Sequence, residues 1–410
     1  MHTQSAEPDP AGPLHGITVL DLTSIVLGPI ATQVLGDYGA DVLKVESPEG
    51  DLMRANGVSR HPGMSSIFLT INRNKRSIVI DLKKEEGRLL LLDLVGQADV
   101  LVHNMRVSAI TRLGIDYQTV KAVKPDIVYC AATGFGQDGP YHAHPAFDDI
   151  VQAASGLAGL MRDQTGAPSF FPALIADKTA GMAVVNAVLA ALFHRARTGE
   201  GQYVEVPMFE TLVEFNIAEH LAGIAFEPPL GPAGYARITN GGRKPLRSSD
   251  GYLAILPYSP DHWIRLLKRL DREDLIAKYD LSDRHKLNQN VRALYQELAE
   301  MTPGRTTEEW ISTCEALDVP VTPIYSLDEL LDHPHLKAVE MFKTLEHPSE
   351  GTIRYARPAV RFAASPASVR CAAPSLGEHS CSILEEFGFS TARIAQYAAD
   401  GIIGTNNENK

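Results

Sequence analysis

The sequence predicts an α/β protein, with a large domain on a parallel β-sheet followed by a smaller domain. Three observations point there. Short β-branched runs recur through the first third without strict polar–apolar alternation, as in strands buried on both faces. Helical patterns lie between several of these runs, which is the signature of βαβ units. A Pro- and Gly-rich stretch at 226–245 then separates this region from an amphipathic helical segment.

In chain order the expected strands are 17–20 (ITVL), 42–45, 78–80, 100–102 and 127–129. Helices are expected at 29–38 and 84–95, with Pro29 at a first helical position and Gly39 as a C-terminal stop. Asp177 precedes a long apolar helix at 179–193. That helix turns basic at His194, Arg195 and Arg197, which complements its dipole, and Gly199 and Gly201 end it. A further strand follows at 202–206. After the 226–245 linker, Asp250-Gly251 reads as a turn before a strand at 252–256. The segment 262–314 is helical and carries both tryptophans, Trp263 and Trp310. Beyond His333-Pro334 the chain is expected to be irregular apart from a helix at 382–386, with a disordered tail at 405–410. The domain plan is thus 1–225 for most of the large domain, 226–245 as linker, 246–330 as the small domain, and 331–410 as linker and C-terminal segment.

The totals bound the function. A chain of 410 residues exceeds what one core usually supports, at roughly 150 residues per domain. With 44% hydrophobic and 21% charged residues it is a folded, soluble type of chain. A net charge of -12 without a basic stripe disfavours nucleic acid as a partner, though not a phosphate group held by a few local donors. The four cysteines form no C-x-x-C pair and read as buried thiols in a reducing compartment. The polar, Pro-rich opening does not fit a signal peptide. The longest apolar run is broken by Asn186 and falls short of the ~20 residues of a membrane span, so a cytoplasmic, non-membrane protein is expected.

Among local motifs, Gly134-Phe135-Gly136-Gln137-Asp138-Gly139 matches G-x-G-x-x-G after a strand. Pro140 and a His/Pro-rich stretch follow, so no helix opens to receive a pyrophosphate, and a nicotinamide site is disfavoured. The loop still offers close backbone approach to a ligand. The H-x-H pairs at 142/144 and 333/335 sit beside prolines without accompanying carboxylates or thiolates, and read as loop polarity rather than metal ligands. No G-x-S-x-G, Walker loop or H-E-x-x-H is present. Asp177 has two readings. It caps the following helix, or it is a nucleophile kept ionised by the helix N-terminus, with Ala180 and Gly181 leaving room for a bulky thioester.

Separated blocks of the sequence, taken in order, carry a resemblance. They are Gly16-Ile17-Thr18-Val19-Leu20-Asp21-Leu22-Thr23 with Gly28-Pro29, then Gly39-Ala40-Asp41-Val42-Leu43-Lys44-Val45-Glu46, then Asn72-Arg73-Asn74-Lys75-Arg76-Ser77. His103-Asn104-Met105-Arg106 with Arg112-Leu113-Gly114, Phe147-Asp148, Ser155-Gly156-Leu157, the Asp177 helix ending in Thr198-Gly199-Glu200-Gly201-Gln202, and Pro374-Ser375-Leu376-Gly377-Glu378-His379 complete the set. This ordered set resembles the family III CoA-transferases, the CaiB/BaiF-type acyl-CoA transferases, over nearly the whole chain.

The resemblance implies a Rossmann-like large domain completed by the C-terminal segment, a small α+β middle domain, long linkers and an interlocked homodimer. It implies CoA transfer from an acyl-CoA donor, such as succinyl-CoA or another dicarboxylyl-CoA, to a carboxylic acid. Asp177 falls on the family's catalytic aspartate, which passes through a mixed anhydride to an aspartyl-CoA thioester. CoA contacts are expected from Asn72, Asn74 and Lys75, from Asn104, Met105 and Arg112, and from the loop Thr133, Gly134, Phe135 and Gly136. CoA thioesters are then substrates, and neither a metal nor another cofactor is implied. His103 and Met105 stand where the family usually has Glu and Phe. Val26 and Leu27 stand where formyl-CoA transferase has Gln and Ala, so formyl and oxalyl groups are not implied. Two alternatives stay open: an α-methylacyl-CoA racemase on the same fold, and a non-catalytic CoA-binding protein. Phe147 occupies the place of the racemase histidine and cannot exchange a proton, whereas Asp148 beside it could take that role.

Overall fold

A computed structural model describes residues 12–162, 166–239 and 242–405, so the opening residues 1–11 and all but Thr405 of the tail expected at 405–410 lie outside it. The chain divides into two compact units. The larger comprises the described parts of Met1–Ser155, Pro172–Phe215 and Lys337–Lys410, and the smaller those of Gly156–Phe171 and Asn216–Leu336.

The larger unit is built on a seven-stranded sheet in the order β12-β3-β2-β1-β4-β5-β6. Strands β1 (Thr18–Leu22), β2 (Asp41–Glu46), β3 (Lys75–Ile80), β4 (Val100–His103), β5 (Val128–Thr133) and β6 (Gln202–Pro207) all run parallel. Their continuous apolar runs are buried on both faces: Leu20, Leu43, Ile78 and Leu101 are all fully buried. One face packs on Leu90, Leu91, Leu94 and Val95 of α3 (Glu85–Val95) and on Ile383 and Leu384 near the C-terminus. The chain lays β1, β2 and β3 side by side, then returns to place β4 against the other edge of β1. This reversal opens a crevice beyond the carboxyl ends of β1 and β4, where open α/β sheets receive their ligands.

Helix α1 (Leu27–Asp37) begins two residues before the expected start, so Pro29 lies within its first turn, where a missing N–H still costs no helix bond. Gly39 ends this element at φ +105, and a Cβ there would stand 2.9 Å from the Gly12 Cα. Shorter helices α2 (Ser66–Ile71), α4 (Val107–Arg112), α5 (Tyr117–Val123) and α6 (Asp148–Ala154) fill the connections.

The long apolar helix α7 (Ile175–Thr198) has 24 residues, starting four before the expected position, and Gly199 closes it at φ +78. By length and composition it could cross a membrane, and half of its most apolar window is buried in the protein. Asp177 is therefore inside the first turn, while Leu174 occupies the N-cap position without a side-chain cap bond. Ala180 and Gly181 leave no room for substrate, contrary to the expectation. Both are buried, and a Cβ on Gly181 would stand 2.8 Å from the Leu27 carbonyl oxygen. The small residues permit the close crossing of α7 and α1.

The C-terminal region is more regular than expected. A hairpin pairs β10 (Phe342–His347) with β11 (Gly351–Ala356). Helices at Ser380–Glu386 and Thr391–Ala399 follow, and β12 (Ile403–Gly404) adds an antiparallel edge to β3. The C-terminal segment thus completes the large unit's sheet. Cys130 and Cys314 are buried, whereas Cys371 and Cys381 are exposed, which corrects the expectation of four buried thiols.

The smaller unit joins a three-stranded antiparallel sheet, β7 (Leu246–Arg247), β8 (Tyr252–Ile255) and β9 (Val321–Pro323), to helices at Pro260–Arg269, Glu273–Tyr279, Arg284–Met301 and Thr307–Ala316. Its core is centred on the fully buried Trp263 and Trp310, and the indole N–H of Trp310 donates to the Thr302 carbonyl at 2.9 Å. Ser259, Asp283 and Thr306 cap three of the helices through their side chains.

Because the Leu27 carbonyl is backbone, it cannot swing aside for an added methyl. Gly181→Ala is expected to lose about 1–3 kcal/mol of stability, measured by urea unfolding. A stability unchanged by this substitution contradicts the tight crossing.

Candidate active site

The crevice beyond β1 and β4 is a cleft of about 230 Å³. The loop after β1 contributes Ser24, Ile25 and Leu27, and the turn after β4 contributes Asn104, Met105, Arg106 and Val107. Thr133, Gly134 and the 137–147 loop come from the end of β5, and Asp148, Asp177 and Met208 complete the lining. A larger hollow of about 370 Å³ lies beside Arg60, Arg73 and Tyr355. Arg73 there is committed to Asp37 in a buried ion pair, and the lining offers no nucleophile comparable to Asp177.

Asp177 and Asp148 meet because α6 and α7 begin side by side. The Asp177 backbone N–H donates to Asp148 Oδ2 at 3.0 Å, and Asp148 Oδ1 accepts from Gln152 Nε2 at 2.6 Å. Asp148 thereby satisfies one of the N–H groups left orphan at the start of α7. The expectation that the helix end would keep Asp177 fully ionised is not met. Burial first, and then the Asp148 carboxylate, raise the Asp177 pKa from its ordinary 3.8 to about 7. A carboxyl group in that state can serve as a nucleophile or a proton acceptor near neutrality.

The glycine loop is held by the protein's own acids. Glu210 Oε1 accepts from the Gly136 N–H at 2.9 Å. Glu205 Oε1 accepts from the Gln137 N–H at 2.9 Å and the Thr133 hydroxyl at 3.1 Å. These loop amides therefore already carry anionic partners. Phe135 is buried and packs at 5.3 Å from the Phe209 ring.

Of the residues singled out from sequence, Asn104, Met105, Thr133, Gly134 and Asp177 share the cleft lining. Asn104 spends its amide on the neighbouring loop, accepting from the Ser24 N–H at 3.0 Å and donating to the Ser24 carbonyl at 2.8 Å. Asn72, Asn74 and Lys75 do not line the cleft; their side chains are buried in internal hydrogen bonds. Lys75 Nζ donates to Asp21 Oδ2 at 3.0 Å, the Pro29 carbonyl at 3.0 Å and Asn72 Oδ1 at 2.9 Å. Asn74 Nδ2 donates to Asp37 and to the Ser368 carbonyl, while its Oδ1 accepts from the N–H groups of Arg370 and Cys371. Arg112 is exposed at the end of α4 and stands outside the lining.

Sequence reasoning missed Arg106, His142 and His144 as cleft residues, and Glu205 and Glu210 as loop anchors. It met Asp148 only through the resemblance, in a quoted block and as the neighbour of Phe147 that could stand in for the racemase histidine. The Phe147-Asp148 pair ahead of an apolar helical stretch was the available signal. Among the described residues no group of three or more His, Cys, Asp or Glu is placed to hold a metal ion.

A parallel sheet with its cleft at the strand reversal, and an aspartate at the start of a long helix beside it, define an α/β enzyme. Comparison with known proteins narrows this: the model for CoA-transferase family III matches residues 14–380, so the chain belongs to that family and is a CoA-transferase. It is 32% identical over 392 residues to a succinyl-CoA:mesaconate CoA-transferase of Haloarcula hispanica, covering 93% of this chain and 98% of that one. It is 29% identical over 396 residues to the human succinyl-CoA:glutarate CoA-transferase, covering 95% and 90% of the two chains. The crystal structure of a CaiB/BaiF family protein from Brucella suis superimposes with a TM-score of 0.78 at 30% identity, covering 92% and 100%.

The raised Asp177 pKa has a consequence for stability. The native state resists ionising this group while the unfolded chain ionises it at 3.8, so stability is withdrawn as pH rises from about 4 to about 7. Asp177→Asn is therefore expected to raise Tm by a few degrees at pH 8, with the gain shrinking to nothing near pH 4. Thermal scans across that range check this. A Tm that falls at pH 8 contradicts the buried, like-charged setting.

Proposed function

We propose that Asp177 carries the acyl and CoA groups during transfer between two carboxylic acids. A carboxylate oxygen of Asp177 attacks the donor thioester carbonyl, the C–S bond breaks, and CoA thiolate leaves a mixed anhydride behind. The thiolate then attacks the Asp177 carbonyl carbon, expelling the donor acid and forming an aspartyl-CoA thioester. The acceptor carboxylate repeats the sequence in reverse, so CoA ends on the acceptor and Asp177 is restored. No proton is gained or lost overall, and CoA acts as a substrate. An acyl carrier of this kind conserves the thioester's free energy, which water would dissipate.

The observation that carries the reading is Asp177 itself: a partly buried carboxyl group in the cleft, held near neutrality, with burial and Asp148 as the causes of its shift. Raised basicity and loss of water both favour a carboxylate as nucleophile. Arg106, His142 and His144 in the same lining suit the phosphates of CoA or the second carboxylate of a dicarboxylic acid. The relatives named for succinyl-CoA with mesaconate or glutarate make a dicarboxylyl-CoA the donor class to try first. Phe147, in the cleft lining, has no exchangeable proton, which favours transfer over racemisation.

Asp177→Asn is expected to lower turnover by several orders of magnitude while the folded state persists, because an amide cannot form the anhydride. Incubation with succinyl-CoA followed by hydroxylamine should label the peptide containing Ile175 to Met182. Near-normal activity of this variant, without deamidation, or a label elsewhere, sinks the reading.

The pH profile offers a separate check. The acid limb of kcat/KM should fall near pH 7, since attack requires ionised Asp177. Asp148→Asn removes the like charge but not the burial, so the limb should move to lower pH and remain above the ordinary carboxylate range. A limb that stays put shows that Asp148 does not act on Asp177 by charge.

A further inference from the structure

Ile25 is a β-branched residue at φ +71, a left-handed conformation that crowds its side chain. It sits in the loop after β1 and lines the cleft with Ser24 and Leu27. Non-glycine residues hold this conformation only where surrounding contacts over-determine it. The Ile25 N–H donates to Asp51 Oδ1 at 3.1 Å, and Asp51 Oδ2 pairs with Lys44 Nζ at 2.9 Å. Lys44 Nζ also donates to the Thr23 carbonyl at 3.0 Å. Lys44 and Asp51 are both buried, their side chains 0% and 1% exposed.

We infer that Asp51 and Lys44 are positioning residues for the CoA-transfer reaction, gripping the two peptide groups that flank Ser24 and lead into the strained Ile25, and so shaping the cleft wall. Neither residue lines the cleft. Asp51 accepts from the amide of Ile25, and Lys44 donates to the carbonyl two residues earlier, so their mutual ion pair fixes the relative position of the two peptide groups. The inference rests on the cleft being the reaction site.

Asp51 also caps the short helix Leu52–Arg54 by accepting from the Met53 N–H at 2.9 Å. Asparagine caps about as well as aspartate. With Oδ1 kept on the two amides, however, the Asp51→Asn amide turns an N–H₂ donor toward the Lys44 ammonium. The ion pair is lost, and with it the tie that holds the Ile25 amide in place relative to the Thr23 carbonyl, so the grip on Ile25 loosens. Glycine adopts φ near +70 without steric cost, so a chain carrying Ile25→Gly no longer needs that grip.

The test is a double-mutant cycle on the full chain with succinyl-CoA as donor and glutarate as acceptor, read far below Tm. Asp51→Asn alone should lower kcat/KM on the order of tenfold and speed hydrogen exchange at the Ile25 amide. In the Ile25→Gly background the same substitution should cost less than about threefold. Additive effects, or a Tm loss with unchanged kcat/KM and unchanged Ile25 exchange, overturn the inference. If Asp51→Asn does not fold, recovery of folded protein on adding Ile25→Gly supports it, and failure of the pair to fold overturns it. Faster Ile25 exchange without any kinetic effect also overturns the positioning role. That outcome is distinct from failure of the Asp177 reading, which appears as activity retained in Asp177→Asn.

Discussion

Beneath the cleft floor, charges from three adjacent strands are closed off from water and neutralise one another. Asp21 on β1, Lys44 on β2 and Lys75 on β3 are all fully buried or nearly so, and Asp51 joins them from the following loop. Taking such groups out of water is costly, and a partnerless charge here costs several kcal/mol. Burial works against the Asp21 carboxylate, yet Lys75, Lys44 and the hydroxyls of Thr23 and Thr32 outweigh it and hold its pKa at about 2. Burial likewise lowers Lys75, to about 8, while Asp21 opposes that fall. Each member is tolerable only while the others stay in place. This mutual dependence ties the loop after β1, the first turn of α1 and strand β3 into one assembly.

The site is arranged around that assembly. The strand reversal between β1 and β4 opens the crevice, and the buried charges fix its β1 side while the Asn104 amide clamps the same loop from the β4 side. On the far wall the chemistry runs in the opposite sense. Asp177 lacks the compensation that Asp21 enjoys; burial and Asp148 both disfavour its charge. Two carboxylates buried in one unit thus have pKa values near 2 and near 7, set by whether lysines or another carboxylate face them. The low one supports the structure. The high one is available for reaction and withdraws stability as pH rises from about 4 to about 7, a common association at active sites.

The N-x-N-K-R-S segment shows how a recognisable motif can be present for structural reasons. Asn72 and Lys75 anchor the start of α1, and Asn74 anchors the backbone near Arg370, almost three hundred positions away in sequence. Arg54 does the same with Glu46 and the Pro374 carbonyl. These side chains close the C-terminal segment onto the sheet. Their residue types fit ligand binding equally well, and only their partners distinguish the two roles.

The sequence by itself determined the parallel sheet, because strands buried on both faces must be written as unbroken apolar runs separated by helical periods. It also determined the long apolar helix and the family, whose ordered blocks mark Asp177. It did not reveal the hairpin of β10 and β11, whose FKTLEH and GTIRYA strands are only partly buried and carry little apolar signal. Nor did it place Asp148 against the Asp177 amide, the glutamates in the glycine loop, or the lysines around Asp21. Those pairings join residues separated by 29 to 74 positions, apart from Lys44 and Asp21, which are closer in sequence but face each other across β2 and β1. A carboxylate's pKa depends on what stands within a few ångströms of it. Local periodicity specifies which face of an element is buried, but not which distant side chain meets it there, and so the charge state of Asp177 was decided only when the chain had folded.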